Sequence, residues 1–335
     1  MALLSDCFQS LFWLSPHLVL PCQVTFLPKT RFLSITFQLP ELGLLTFAMF
    51  VPMLSGGLNL AIISTANLTG LFMAWVFINY LPVDAGTGTQ LMWLVFALIG
   101  ATVIAVIIGS LTGLMISHIG AHPILVTLGT MTIISGIGVY LTKGAALSGM
   151  PPIVRAIGSD TVLGVPIAMI IFIVTAILLA LFLGCTRLGK NIYMSGSNIN
   201  ATWFSGIRTD RVMIAIYTIS SLLCVLAGLI MMARFNSARM GYGDSYLLLT
   251  ILAIVLGGTN PFGGVGKVSR VFCALLVLQV IATGLSLLGV SLHFNLAVWG
   301  ITLILALAFK FFKEKWSAKR AMNRNQRLNK ASTQS

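Results

Sequence analysis

Few side chains in this sequence could do chemistry. Its seven acids are Asp6, Glu41, Asp84, Asp160, Asp210, Asp244 and Glu314, and each is expected in a loop or at a terminus, outside the apolar runs. A charged group at membrane depth is costly and is kept there only for work. Ion coupling through carboxylates is therefore not expected, and backbone carbonyl sites are the alternative. The histidines are His17, His118, His122 and His293. His118 and His122 have the i, i+4 spacing of metal ligands, but the acid of an HExxH helix is missing and Pro123 follows at once, so a solvated turn is expected. The cysteines Cys7, Cys22, Cys185, Cys224 and Cys273 form no CxxC pair and read as space-filling thiols. Gly266-Lys267 invites a nucleotide-binding reading. A phosphate-binding loop, however, needs Gly at 261 and Ser or Thr at 268, where this chain has Pro261 and Val268. No catalytic set, cofactor or metal is expected.

What remains is polar but uncharged. Asn59, Asn67, Thr127, Thr130 and Asn260 fall within or beside apolar runs, and Gly56, Gly57, Gly257 and Gly258 expose backbone groups next to them. A path for a neutral, hydroxylated solute needs groups of this kind. The competing reading is that such residues hold helices together, each hydrogen bond contributing about a kcal/mol or less.

The elements that would position these groups are membrane spans. The chain of 335 residues is 58% hydrophobic and 8% charged, against about a quarter charged in soluble domains, and its mean hydropathy is +1.01. About ten spans are expected in an all-α, polytopic arrangement. The first, Leu11–Leu27, is weak, being interrupted by Pro16 and Pro21. There follow 42–54, 60–78, 91–116, 124–142, 164–184, 212–233, 246–258, 271–288 and 292–309. Two of these runs end at glycine pairs, Gly56-Gly57 and Gly257-Gly258, which suggests breaks whose freed backbone must face protein or water. Gly100, Gly109, Gly113, Gly129, Gly136 and Gly138 provide small faces for close helix packing. Residues 143–163 read as a polar loop. Three segments result: a weak N-terminal stretch 1–31, a membrane domain 32–312 and a basic tail 313–335.

Charge orients the chain. Residues 185–211 carry Arg187, Lys190, Arg208 and Arg211 against one acid, Asp210, and basic loops are retained in the cytoplasm. Alternation then puts 259–270 and the tail on the same side. The tail segment 310–330 has Lys310, Lys313, Lys315, Lys319, Arg320, Arg324, Arg327 and Lys330, which suits anionic lipid headgroups; without a folded domain or interleaved aromatics, nucleic-acid binding is excluded. Loops 143–163 and 234–246 fall outside. Lys29 and Arg31 go against the rule. The loop 185–211 is longer than a connection requires, and long ordered loops carry function. Ser195–Asn200 can start a short helix, with Ala201, Trp203, Phe204 and Ile207 along one side and Gly206 to stop it. A segment resting on headgroups would look similar.

The stretch TRLGKNIYMSGSNINATWFSGI (186–207) resembles the cytoplasmic loop of ribose-type sugar permeases of ATP-binding cassette (ABC) importers. GGLNLAIISTANLTG (56–70) is similar to that family's GGIDLSVGS segment, and 124–144 and 255–268 look like family stretches as well. The resemblance covers roughly residues 32–312. It implies a bacterial inner-membrane permease that pairs with a second copy or a paralogue, docks cytoplasmic ATPase subunits and receives its solute from a periplasmic or lipid-anchored binding protein. On this resemblance Gly196, Asn198, Ala201, Trp203, Gly206 and Ile207 form the coupling segment that meets the ATPase. There are departures: Asn59 stands where many members have Asp, Leu247 and Leu249 replace a Glu and an Asp, and Trp203 replaces a common Arg. The expectation is a sugar permease without catalysis of its own, the alternative being an ATP-independent facilitator.

Overall fold

The computed structural model of the chain describes residues 29–82, 85–162, 164–287, 297–302, 304–305 and 308. Most of the weak N-terminal stretch, the expected first span 11–27 and the basic tail lie outside the described residues. In chain order the elements are α1 (Lys29–Leu54), α2 (Ile62–Tyr80), α3 (Thr87–Ile119), α4 (Pro123–Thr142), β1 (Leu147–Ser148), α5 (Pro152–Ser159), β2 (Thr161–Val162), β3 (Val165–Pro166), α6 (Ile167–Cys185), α7 (Arg187–Ser197), α8 (Ile199–Phe204), α9 (Thr209–Phe235), β4 (Ser237–Ala238), α10 (Tyr246–Leu256) and α11 (Val268–Leu287).

Among the described residues, seven helices are long and apolar enough to cross a membrane: α1 from Ile35, α2, α3, α4, α6, α9 and α11. Tyr246–Leu256 is apolar but shorter; at 1.5 Å per residue, 11 residues rise about 16 Å, roughly half a hydrocarbon core. The last expected run, 292–309, is described only in part.

The architecture is mostly helical, with only two-residue strands pairing antiparallel, β1 with β4 and β2 with β3. Two expectations are corrected. The polar loop 143–163 contains helix α5, which starts with Pro152 in its first turn, where a missing N–H removes no helical bond. Glu41 is not in a loop. The run expected to begin at Leu42 is the second half of α1, which contains Pro40 and Pro52, and Glu41 is fully buried within it. Its Oε1 pairs with the Arg234 guanidinium and accepts a hydrogen bond from the Tyr246 hydroxyl at 2.5 Å. A buried carboxylate is tolerated because it is paired.

Helix α9 is the centre of the bundle, packing on α3, α1 and α2. Small residues make this possible. A Cβ on Gly109 would lie 2.6 Å from the Thr218 Cα, one on Gly113 2.6 Å from the Ile214 Cα, and one on Gly228 2.3 Å from the Ala66 carbonyl oxygen. With no hydrophobic driving force between helices in lipid, such close van der Waals approach is what holds them together. A second part of the core is aromatic: Phe172 of α6 stacks between Phe47 of α1 and Phe272 of α11, with ring centroids 5.3 and 5.4 Å away.

The connections gather at two ends. At one end, 143–166 meets 236–245 through the β1–β4 pair, and the Met150 N–H donates to Asn236 Oδ1 at 3.1 Å. At the other end are 55–61, 186–208 and 257–267, which meet at backbone level. This grouping is the one that alternation of spans requires.

Candidate functional site

Loop 185–211 folds as two short helices. Thr186 caps α7, its hydroxyl accepting from the Gly189 N–H at 3.0 Å. Asn198 caps α8, its Oδ1 accepting from the Ala201 N–H at 3.0 Å; both are the side-chain types that satisfy the free N–H groups of a first turn. The chain leaves α8 through Ser205 and Gly206, the latter at φ +78°, a backbone region that favours glycine. Thr202 turns inward and is buried, whereas Trp203 and Phe204 are 62% and 80% exposed. Their rings meet edge to face at 5.0 Å. Ile199 is exposed beside them, and Ile207, half-buried, packs against the core.

The C-terminal end of α7 is locked onto both glycine-containing connections, 55–61 and 257–267. A Cβ on Gly196 would come within 1.9 Å of the Leu54 carbonyl oxygen and 2.5 Å of the Gly264 nitrogen. These two atoms are themselves hydrogen-bonded, Gly264 N–H donating to Leu54 O at 2.8 Å. Gly56, at φ +82°, has its Cβ direction 2.9 Å from the Phe262 carbonyl oxygen, and that of Gly263 lies 2.8 Å from the Gly196 oxygen. Tyr193 of α7 donates to the Gly266 carbonyl at 2.9 Å. Burial pushes its phenol above the ordinary tyrosine range. Three segments distant in sequence thus meet backbone to backbone, a contact that side chains at these positions would prevent.

The polar residues expected to line a path are dispersed. Asn59 is buried: its Oδ1 accepts from the Ala61 N–H at 3.1 Å and its Nδ2 donates to Ser220 Oγ at 2.8 Å, while Ser220 donates to the Ala48 carbonyl at 2.7 Å. Thr127 is buried and its hydroxyl lies 2.9 Å from the Pro123 carbonyl and 3.2 Å from that of Leu58, close to Asn59 in the chain. Gly57 packs there too, with its Cβ direction 2.6 Å from the Tyr217 hydroxyl. Thr130 bonds its own helix at the Val126 carbonyl, 2.9 Å. Asn67 donates to the Tyr242 carbonyl at 3.0 Å, towards the other end. Asn260 shapes the glycine turn, its N–H donating to Val265 O at 2.9 Å. Gly257 is pressed on Val271, 2.8 Å to its Cα, and Gly258 takes φ +75°. Asn59→Leu is expected to lower the thermal midpoint in detergent by the equivalent of about 1–3 kcal/mol, because it orphans a buried N–H; an unchanged midpoint would contradict this structural role.

Sequence reasoning did not single out Tyr193, Gly263 or Gly264, although Tyr193 lies within the loop stretch and the two glycines within GGTNPFGGVGK. Glu41 and Arg234 were missed because their partnership spans 193 positions. Gln38 and Gln279, hydrogen-bonded at 3.1 Å, carried no signal beyond being amides in apolar surroundings.

Three curated relatives are similar over nearly the whole chain. The ribose import permease protein RbsC of Bacillus subtilis is 32% identical over 285 residues, 84% of this chain and 85% of that protein. The autoinducer 2 import system permease protein LsrD of Yersinia enterocolitica is 27% identical, covering 89% of this chain and 86% of its own length. The D-allose transport system permease protein AlsC of Escherichia coli is 28% identical, covering 84% of each. No solved structure matches the chain. A family profile described as branched-chain amino acid transport system, permease component, matches residues 31–307, and the chain belongs to that family of transport permeases.

Proposed function

We propose that this chain is the membrane-spanning subunit of an ABC importer for a pentose, a related monosaccharide or a polyol, driven by an ATPase on a separate chain. The observation that carries this reading is the attachment of α7, which α8 directly follows, to the glycine-containing connections 55–61 and 257–267. The apolar residues Ile199, Trp203 and Phe204 of α8 are exposed beside polar and basic neighbours, which suits an aromatic anchor set for a protein groove. A push on α8 passes through α7 to Leu54, Gly56 and Gly264 without an intervening flexible side chain. An ATPase at this end moves the ends of α1 and α10 together and so switches access. Relatives named for ribose, D-allose and autoinducer 2 support a small hydroxylated solute over an amino acid.

The remaining partners follow. A binding protein meets the opposite end, formed by 143–166 and 236–245. A second copy or a paralogue, and lipid, cover the exposed apolar faces of α3 and α4, which include Leu91, Phe96, Ile107, Leu125 and Ile133. The basic tail rests on cytoplasmic headgroups of the inner membrane.

The test is association and transport. Trp203→Ala with Phe204→Ala is expected to weaken ATPase binding by about 2 kcal/mol or more, roughly thirtyfold, with normal membrane yield. Co-purification of the ATPase at wild-type yield would contradict the docking role. Uptake that persists without the ATPase would favour an ATP-independent facilitator.

A further inference from the structure

Between α1, α10, α11 and the helical residues 297–302 lies a cavity of about 160 Å³. It is lined by Gln38, Ser245, Tyr246, Gln279, Ser286 and Trp299, together with the apolar side chains of Leu42, Leu249, Leu278 and Ala282. Ser245 closes the 236–245 connection, so the cavity lies towards the end opposite the glycine junction. It shares no residue with the nine-residue set that the sequence suggests for a path.

Its lining is unusual for a helix bundle in lipid. Gln279 sits in the middle of span α11 and is 4% exposed. An amide there is costly unless it is used. Two facing glutamines that merely joined helices would satisfy each other. Here one bond is made, Gln279 Nε2 donating to Gln38 Oε1 at 3.1 Å. Among the described residues neither side chain has another partner, so Gln279 keeps a carbonyl and one N–H, and Gln38 keeps both N–H groups, for a ligand. Gln38 is exposed and Gln279 buried, so the pair runs from the surface inward. Trp299, 5% exposed, contributes an indole to the same wall. Tyr246 is held in place from behind, because its hydroxyl is committed to Glu41. An aromatic surface beside planar amides and hydroxyls is the combination that takes a compact solute with an apolar C–H face and a rim of hydroxyl groups. Drug-sized ligands need pockets of about 300–1,000 Å³; this cavity is smaller and suits one small polar molecule.

We propose that this cavity is a solute site on the outward half of the transport path, in which Gln38 and Gln279 bond adjacent hydroxyls of a monosaccharide or polyol against Trp299. The proposal rests on the sugar-importer reading above and locates its substrate. The site makes α11 and the helix carrying Trp299 the selective elements, while α8 and the glycine junction supply the drive.

The experiment reconstitutes the permease with its ATPase and binding protein in proteoliposomes and measures uptake of radiolabelled D-ribose, D-allose, D-xylose and glycerol together with ATP hydrolysed. Gln279→Leu, close in volume but without an amide, is expected to lower the number of solute molecules imported per ATP at least tenfold while the complex assembles in normal yield. Trp299→Leu, on a different helix, is expected to do the same, and Gln279→Asn to recover part of the loss. A purely structural role would reduce uptake and hydrolysis in proportion and leave their ratio unchanged. If both leucine variants keep a wild-type ratio, the site is overturned while the importer reading stands. If the wild-type complex imports none of the four probes, the reading beneath the site fails with it.

Discussion

Replacing Gly196 with leucine is expected to abolish ATP-driven uptake and lower the thermal midpoint markedly. The Cβ alone would come within 1.9 Å of one backbone atom and 2.5 Å of another, the Leu54 oxygen and the Gly264 nitrogen. Neither can rotate away as a side chain could. Either α7 lifts from the bundle or the Leu54–Gly264 hydrogen bond opens, and overpacking of this kind costs about 1–3 kcal/mol or more. Even Gly196→Ala should show the effect in the same direction, since the first added carbon already clashes. Gly184→Ala is the control: nothing lies within 4 Å of its Cβ position, so its midpoint should stay at or slightly above wild type, given the better helix propensity of alanine. Equal midpoints for Gly196→Ala and Gly184→Ala would remove the junction from the account.

The second large effect is expected at Arg234. Arg234→Leu leaves the Glu41 carboxylate fully buried without its cation, and breaking one half of such a pair costs about 3–5 kcal/mol. The variant should accumulate poorly in the membrane and unfold early in detergent. Adding Glu41→Gln should restore much of the loss: the orphaned charge is gone, and an amide oxygen still accepts from Tyr246. The measurement is a comparison of midpoints for wild type, the single and the double variant. A double variant no more stable than Arg234→Leu alone would show that the penalty is not the unpaired carboxylate. Because Tyr246 also lines the cavity beside Gln279, the double variant reports in addition whether the ion pair positions that wall.

Much of the bundle was legible because a bilayer imposes rules that are local in sequence. Seven of the expected runs coincide with long helices, and the short run 246–258 contains an 11-residue helix. Within Ser195–Asn200, read as a stretch able to start a helix, Asn198 caps α8, and Gly206 lies at its exit with a positive φ. Errors arose where a local signal is ambiguous. Gln38, Pro40 and Glu41 look like the boundary of a span, and periodicity does not reveal that a carboxylate is neutralised from 193 residues away. The helix inside 143–163 was hidden by proline and glycine, which mark loops and the first turns of helices alike.

The candidate site divides in the same way. Composition and the lengths of apolar runs established a multi-pass membrane protein, and the stretches 56–70 and 186–207 carried its resemblance to a permease family, because hydropathy, capping and short motifs act between residues that are neighbours in the chain. Only the tertiary structure decided that Gly56 and Gly196 both pack on the Gly263–Gly264 turn, that Glu41 belongs to Arg234, and that Gln38 bonds Gln279 in the wall of a cavity. These contacts join segments up to 241 positions apart, and they depend on how close two helices can pack, a property of the assembled bundle that no single stretch of sequence contains.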